Sequence, residues 1–139
     1  MALRGRDYLE QVPLFAALTR RQRRGLSRGA VRVEVDAGQV LFDEGREGHE
    51  LVVVLRGSVD VVRSGTLLAT LGPGSAVGES ALLTREYRNA RLVAHTRAEI
   101  ICLGESDIET VMAKSPPFAR ELEALHVSRA PVVAHRDGA

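Results

Sequence analysis

The sequence predicts a mainly β domain with helices at both ends. Short apolar stretches that alternate with polar residues recur from Val31 to Leu103, and glycine-containing turns separate them. Helix-type patterns occupy the residues on either side of this region. Short strands at regular spacing are typical of sandwiches and small barrels, so we expect one of these architectures. A chain of 139 residues has room for one domain with one core.

The residues before Val31 are expected to form two helices. Residues 7–12 form the first, which ends before Pro13 because a proline disfavours helical geometry in the preceding residue. Thr19 is expected to cap the second helix, which runs through Leu26. The same segment carries a cluster of arginines at Arg20, Arg21, Arg23, Arg24 and Arg28.

The central region is expected to contain seven strands, each a short apolar or alternating run. They are Val31–Val35, Val40–Phe42, Leu51–Leu55, Val59–Val62, Leu67–Leu71, Leu92–Ala94 and Ile100–Leu103. Ser64-Gly65 is the predicted tip of a hairpin, and Gly72-Pro73-Gly74 is a strong break.

The C-terminal part returns to a helical pattern. Ser106 is expected to cap a helix, with Glu109 completing a capping box. After Pro116-Pro117, a second helix is expected from Phe118 to about His126, with Phe118, Leu122 and Leu125 on one face. We therefore expect a domain over residues 1–127 and a flexible tail over residues 128–139.

Composition narrows the function classes. The formal net charge of +1 does not indicate nucleic-acid binding by the whole surface. No apolar run approaches the roughly 18 residues of a membrane span, and the N-terminus has no signal-peptide pattern. Cys102 is the single cysteine, which is typical of a reducing compartment. We expect a cytoplasmic protein.

The chemistry concentrates between Gly74 and Arg91. Glu79 to Leu83 can form a helical turn whose N–H groups point toward Gly78, and such a helix start attracts anions. Arg88 follows closely, and a guanidinium can donate two parallel hydrogen bonds to a phosphate. Phosphate would repel Glu79, so the partner expected for this carboxylate is a neutral hydroxyl. Together these groups indicate a nucleotide or a sugar phosphate.

Gly78-Glu79-Ser80-Ala81-Leu82, followed by Arg88-Asn89-Ala90, resembles the phosphate-binding cassette of the cyclic nucleotide-binding family. This family includes domains of the catabolite activator protein and of protein kinase A regulatory subunits. Val12-Pro13-Leu14-Phe15 and Gly38-Gln39-Val40-Leu41-Phe42 resemble flanking motifs, so the similarity spans roughly residues 8–126. It implies a stand-alone bacterial member with a double-stranded β-helix, or jelly-roll, barrel and a C-terminal helical lid.

The resemblance also implies roles for individual residues. Arg88 would bind the exocyclic phosphate oxygens, and Glu79 the ribose 2′-hydroxyl. The phosphate cradle would be completed around Gly78 by backbone groups of Ser80, Ala81, Asn89 and Ala90. The base pocket would involve Val77, Val62, Leu67, Ala69 and Arg91, and the lid Leu122, Leu125 or Val127. No catalytic residue, metal ion or cofactor is expected.

The sequence departs from the family pattern at three positions. Asn89 replaces a small residue, although its role would be mostly that of its backbone. Val77 stands where the family usually has phenylalanine, which is an apolar replacement. Arg91 stands where the family often has Thr or Ser, a residue tied to cGMP preference. We therefore expect cAMP as the ligand, with cGMP possible. Arg91 either contacts phosphate or faces solvent.

Two alternatives stay open. Glu79 and Arg88 can form a purely structural ion pair in a degenerate domain that serves only protein interaction. The arginine cluster of residues 20–28 can bind nucleic acid or an acidic membrane, or be a solvated helix face. His49-Glu50-Leu51 does not supply the His-x-His pattern of a metal-dependent barrel.

The expected function is that of a non-catalytic sensor. We expect the residues after the last predicted helix to be too few for a DNA-binding domain, so either an unidentified separate effector protein would receive the signal or the chain would be a ligand buffer. The sequence does not specify the oligomeric state.

Overall fold

We describe residues 8–126 in a computed structural model of the chain. The N-terminal part has two short 3-10 turns, Tyr8–Gln11 and Pro13–Phe15, followed by helix α1, Arg20–Gly29. The predicted first helix is therefore shorter than expected, since Val12 is extended before Pro13. Thr19 caps α1 as predicted.

Eight strands form the central region. They are β1 (Val31–Val35), β2 (Val40–Phe42), β3 (Leu51–Arg56), β4 (Val59–Arg63), β5 (Thr66–Leu71), β6 (Ala76–Val77), β7 (Arg91–Ala94) and β8 (Ala98–Leu103). The seven predicted strands are confirmed within one or two residues at their ends. β6 was not predicted from the sequence, because two residues are too few to show a period.

The strands form two four-stranded antiparallel sheets of a jelly-roll fold. Their orders are β1-β8-β3-β6 and β2-β7-β4-β5. Val52 and Val54 of β3 join the apolar cluster between the sheets, together with Leu92 of the opposite sheet. Leu51 and Val53 point into a second cluster that includes the helices. Both faces of β3 are thus covered, which explains its unbroken apolar sequence.

Three further helices complete the described chain: α2 (Glu79–Thr84), α3 (Glu105–Lys114) and α4 (residues 116–126). The prediction that Ser106 caps α3 is wrong, because α3 begins at Glu105 after Gly104, which makes no side-chain cap. Glu109 accordingly does not complete a capping box and instead contacts Arg85.

Helix α4 starts two residues before the predicted Phe118. Prolines are tolerated in the first turn of a helix, where their missing N–H groups have no helical partner. Ser115 precedes that turn, and its hydroxyl accepts a hydrogen bond from the Phe118 N–H at 3.3 Å. Phe118 stacks on Phe15 and is fully buried, as is Leu122. Helix α4 is therefore packed on the N-terminal turns, with the predicted apolar face inward.

Residues 127–139, which include the predicted lid residue Val127 and the predicted flexible tail, lie outside the described part of the chain. Between residues 8 and 126, the helices are too short or too polar to cross a bilayer.

Candidate functional site

The predicted phosphate-binding segment is built on an edge strand and a short helix. β6 pairs with β3 through Val77 and Val52, which fixes the start of the segment against the sheet. Gly78 then has a φ of +103°, a left-handed conformation that favours glycine, and helix α2 begins at the next residue. The helix ends at Thr84, and the next residue, Arg85, is also left-handed, with a φ of 64°. These two turns aim the chain so that Arg88 folds back toward Gly78.

The Arg88 side chain is the most unusual group in this segment, since only 5% of the residue is exposed. Its Nη2 donates to the carbonyl oxygen of Glu50 at 3.0 Å, and its Nη1 donates to that of Gly78 at 3.4 Å. Its guanidinium carbon lies 4.0 Å from the centre of the Phe42 ring. Among residues 8–126, the buried Nε has no hydrogen-bond partner. The guanidinium is thus held by weak and neutral partners.

Two glycines make room for this guanidinium. A Cβ added at Gly78 would lie 2.7 Å from Arg88 Nη1 and 2.8 Å from the Glu50 carbonyl oxygen. A Cβ added at Gly48 would lie 3.1 Å from Arg88 Nε. The absence of a side chain at both positions therefore leaves the space that the Arg88 guanidinium occupies.

The loop between β2 and β3 also fixes the backbone of Arg88. Its N–H donates to the Arg46 carbonyl at 2.8 Å, and its own carbonyl accepts from the Gly45 N–H at 2.8 Å. These two backbone hydrogen bonds fix the position of the Arg88 α-carbon. The side chain therefore starts from a defined point.

The electrostatics of the site favour an anion. Burial lowers the pKa of the Arg88 guanidinium, while the negative charge of Glu50 and that of Glu79 oppose this change. Arginine nevertheless stays protonated in proteins, so this site contains a permanent, poorly hydrated positive charge. A buried cation is stable only with strong hydrogen-bond partners. Within residues 8–126, the Nε of Arg88 is a donor that has no acceptor. A phosphate oxygen is the strongest acceptor available to a guanidinium.

The structure brings most of the predicted ligand-binding residues together around α2. Glu79 is the first residue of α2 and is buried, and the small side chains of Ala81 and Ala90 are buried as well. The Asn89 amide nitrogen lies 3.4 Å from the Ser80 hydroxyl, which joins the two ends of the predicted cradle. Val77 is buried in the cluster between the sheets.

The predicted base-pocket residues on β4 and β5 are neighbours. Val62 and Leu67 are register partners, and Ala69 lies opposite Val61. Leu67 is 57% exposed on β5, the edge strand of its sheet. Such exposure leaves an apolar surface that a ligand base can cover.

The other predicted contacts lie elsewhere. Arg91 is exposed and forms two hydrogen bonds with Asp43, from Nε at 2.9 Å and from Nη2 at 3.3 Å. Leu122 and Leu125 lie in or against the helical cluster, whereas Val77 lies in the cluster between the sheets. In this conformation α4 is packed on the N-terminal turns, and the lid contact stays a prediction.

Sequence reasoning missed Phe42, Gly48 and the Glu50 carbonyl as parts of the site. Phe42 fits its strand pattern as an ordinary apolar residue, and a backbone carbonyl leaves no trace in side-chain identity. The one available signal was Gly48, a second glycine three residues after Gly45 in a polar loop. In the described part of the chain, no group of three or more His, Cys, Asp or Glu side chains is arranged to hold a metal ion.

Comparison with known proteins agrees with this geometry. Residues 32–115 match the model of the cyclic nucleotide-binding domain family. A cAMP-dependent protein kinase regulatory subunit of Schizosaccharomyces pombe is 31% identical over 93 residues, which are 66% of this chain and 23% of that protein. A cyclic nucleotide-gated potassium channel of Mesorhizobium japonicum is 32% identical over 108 residues, 78% of this chain and 30% of the channel. The chain thus spans less than a third of the length of either relative.

Solved structures agree as well. The catabolite activator protein of Thermus thermophilus has a TM-score of 0.76 and 31% identity, and the match covers 89% of this chain and 61% of that one. The sensor domain of the regulator DNR from Pseudomonas aeruginosa has a TM-score of 0.78 at 18% identity, covering 92% of this chain and 89% of that domain, and shows the shared fold. The family match covers more than half of the chain, and its residues include the whole Gly78–Arg88 segment. The chain belongs to the cyclic nucleotide-binding domain family.

Proposed function

We propose that this domain is a non-catalytic sensor that binds cAMP and passes its occupancy to a separate protein. The observation that carries the proposal is the buried Arg88 guanidinium, which has an unsatisfied Nε and only backbone carbonyls as acceptors among residues 8–126. A cyclic phosphate can replace these weak acceptors with charged oxygens. In the bound state both the donor and the acceptor are then ionised, whereas in the free state only the donor is, so the bound-state hydrogen bonds are the stronger.

The second polar contact is assigned to Glu79. Its carboxylate is buried at the start of α2, close enough to Arg88 for its charge to affect the pKa of the guanidinium. A carboxylate accepts from a ribose hydroxyl but repels phosphate, so the two charges select the two ends of one sugar phosphate. The first backbone N–H groups of α2, at Ser80 and Ala81, and those of Asn89 and Ala90 complete the cradle.

Ligand identity depends on the other side of the pocket. Val77, Val62, Leu67 and Ala69 would contact the base through apolar surface, which gives little preference between purines. Arg91 is engaged by Asp43, and the family residue tied to cGMP preference is missing at that position. The S. pombe relative is by name cAMP-dependent. Together these points favour cAMP over cGMP.

To pass on its ligand occupancy, the domain needs a contact that forms only in the bound state. We assign it to α4, whose Leu122 and Leu125 would close over the base when the helix leaves its packing on Phe15. Leu122 is fully buried in the helical cluster, so this movement exchanges one apolar contact for another. Such an exchange keeps the two states close in free energy, as a ligand-driven switch needs.

A thermal-shift panel of cAMP, cGMP and non-cyclic 5′-AMP tests the proposal. Ligand at about 100 times its Kd stabilises the native state by about 2.7 kcal/mol, which raises the melting temperature by several degrees. We expect the largest shift with cAMP and the smallest with 5′-AMP. No shift with any of the three would support the alternative of a degenerate domain that acts through protein interaction alone.

A second candidate function rests on helix α1. Arg20, Arg21, Arg24 and Arg28 are exposed, and helical geometry places them within an arc of about 100° opposite the buried Leu26. Arginines at a helix start oppose the macrodipole, and Arg20 and Arg24 are like charges one turn apart. These exposed arginines therefore destabilise the isolated helix. The phosphate backbone of a nucleic acid is the partner whose charge would complement this arginine stripe.

Titration of a DNA duplex and of single-stranded RNA at several salt concentrations tests this second function. Binding through four arginines predicts a slope of about −3 to −4 in a plot of log K against log salt. Substituting Arg20 and Arg24 together with glutamine should reduce that slope by about two. Salt-independent or absent binding would identify the stripe as a solvated surface.

A further inference from the structure

Glu105, the first residue of α3, lies where two parts of the candidate site converge. Its Oε2 accepts a hydrogen bond from Arg85 Nη1 at 2.6 Å. The same oxygen lies 3.4 Å from His49 Nδ1. One half-buried carboxylate thus contacts side chains from two segments that are distant in sequence.

Both of these segments hold the Arg88 guanidinium. His49 lies between Gly48, whose missing side chain makes room for the guanidinium, and Glu50, whose carbonyl accepts from it at 3.0 Å. Arg85 directly follows α2 and lies three residues before Arg88. A change in the position of the guanidinium therefore reaches Glu105 by two short routes.

Arg85 is well placed to transmit such a change. It is one of two non-glycine residues with positive φ in the described chain, and the other, Ser64, is at a hairpin tip. A left-handed conformation is costly for an L-residue and directs this side chain to α3. Its second nitrogen contacts Glu109, one helical turn after Glu105, so a single guanidinium spans the first turn of α3.

The connection between α3 and α4 is short. Ser115 is the single residue between the two helices, and its N–H donates to the Val111 carbonyl at 2.9 Å. Its carbonyl accepts from the Ala119 N–H at 3.1 Å. Backbone hydrogen bonds thus continue across the junction, and a displacement at the start of α3 has a direct path to α4.

We propose that Glu105 is a coupling residue, which receives ligand-driven movement of the Arg88 segments through Arg85 and His49 and passes it to α3 and α4. The inference rests on the proposed function, because it assumes that a nucleotide moves Arg88. The Arg85 side chain is exposed, so solvent screens its ion pair with the half-buried Glu105 and loss of this junction should leave the fold intact. The expected effect is on the response of α3 to ligand rather than on binding itself.

The chain offers a matched control for this junction. Arg97 contacts Glu34 at 2.9 Å and lies 3.9 Å from Asp36, so it too is an exposed arginine that spans two carboxylates. This second junction joins β1 to the turn before β8 and touches none of the residues assigned to the site. Glu34→Gln and Arg97→Ala therefore remove a similar pair without altering the proposed route.

Hydrogen exchange of residues 105–114, measured with and without saturating cAMP, tests the inference in the wild type and in Glu105→Gln, Arg85→Ala, Glu34→Gln and Arg97→Ala. We expect cAMP to change exchange in the wild type and in both control variants. In Glu105→Gln and Arg85→Ala the change should fall to less than half, with Kd altered by less than about threefold. Arg85→Ala serves as the independent variant if Glu105→Gln does not fold.

The possible results separate the inference from the function on which it rests. Unchanged cAMP-dependent exchange in both Glu105→Gln and Arg85→Ala would overturn the coupling role while leaving cAMP binding intact. The same conclusion follows if the wild type binds cAMP by calorimetry and residues 105–114 do not respond. If the wild type shows no binding by calorimetry, the proposed function fails and the coupling role fails with it.

Discussion

Alanine at Gly78 tests how tightly the site is built around the guanidinium. Gly78 has a φ of +103°, and a left-handed backbone costs an L-residue about 1–2 kcal/mol. The added methyl group would also lie 2.7 Å from Arg88 Nη1 and 2.8 Å from the Glu50 carbonyl oxygen. Overpacking of this kind costs about 1–3 kcal/mol, so we expect Gly78→Ala to lower the free energy of unfolding by about 2–5 kcal/mol.

Two other glycines separate these contributions. Gly38 has a φ of +88° and would meet nothing within 4 Å, so Gly38→Ala reports the backbone cost alone. Gly48→Ala would instead place a methyl group 3.1 Å from Arg88 Nε, so it reports crowding of the guanidinium. Gly78→Ala combines both effects and should be the most destabilising of the three.

Urea denaturation measures the stability of these variants, and calorimetry measures their affinity for cAMP. With a typical m-value of about 2 kcal/mol/M, the expected loss moves the Gly78→Ala midpoint by about 1 M or more. Affinity should fall at least about tenfold in Gly78→Ala, fall less in Gly48→Ala, and stay unchanged in Gly38→Ala. If Gly78→Ala loses no more stability than Gly38→Ala, the crowding argument is wrong.

Three further predictions concern groups around the site. Phe42→Leu removes the ring under Arg88, and because a cation–π contact contributes about 0.5–2 kcal/mol, the free energy of unfolding measured by urea denaturation should fall by at least that amount; an unchanged value would contradict this. Burial raises the pKa of the Cys102 thiol, so iodoacetamide should alkylate it more slowly at pH 8 in the folded than in the urea-unfolded protein; equal rates would contradict this. The Arg91 hydrogen bond holds the pKa of the Asp43 carboxyl below its usual value, so this pair stabilises the protein at neutral pH and the contribution is lost on acidification through the lowered pKa. Arg91→Ala should raise the Asp43 pKa in an NMR titration, whereas an unchanged value would show that the pair does not persist in solution.

The sequence was most informative where a pattern is local. The alternation in Val31–Val35 and the apolar run from Leu51 predicted strands that are present, because period and burial are coupled within each strand. Thr19 could be identified as a helix cap for the same reason, since its partner Gln22 is three residues away. The prediction for Ser106 failed because α3 begins before it, at Glu105, whose side chain contacts Arg85 of a segment distant in sequence.

The Gly78–Arg88 segment was also predictable, because its spacing matches a family motif. The surroundings of this segment were not predictable, because they come from β2, from the loop before β3 and from α3. Phe42, the Glu50 carbonyl and the junction at Glu105 depend on the sheet register and on a left-handed residue at position 85. These are long-range consequences of the fold, and no short pattern in the sequence encodes them.

The role of Arg88 as the phosphate ligand is tested most directly by calorimetric titration of cAMP into the wild type and Arg88→Ala. Two charge-assisted hydrogen bonds at about 1.5–3 kcal/mol each correspond to an affinity loss of at least a hundredfold. We predict measurable binding by the wild type and a Kd at least about a hundredfold weaker in a folded Arg88→Ala protein. Equal affinity in the two proteins would contradict the assignment of Arg88 to the phosphate.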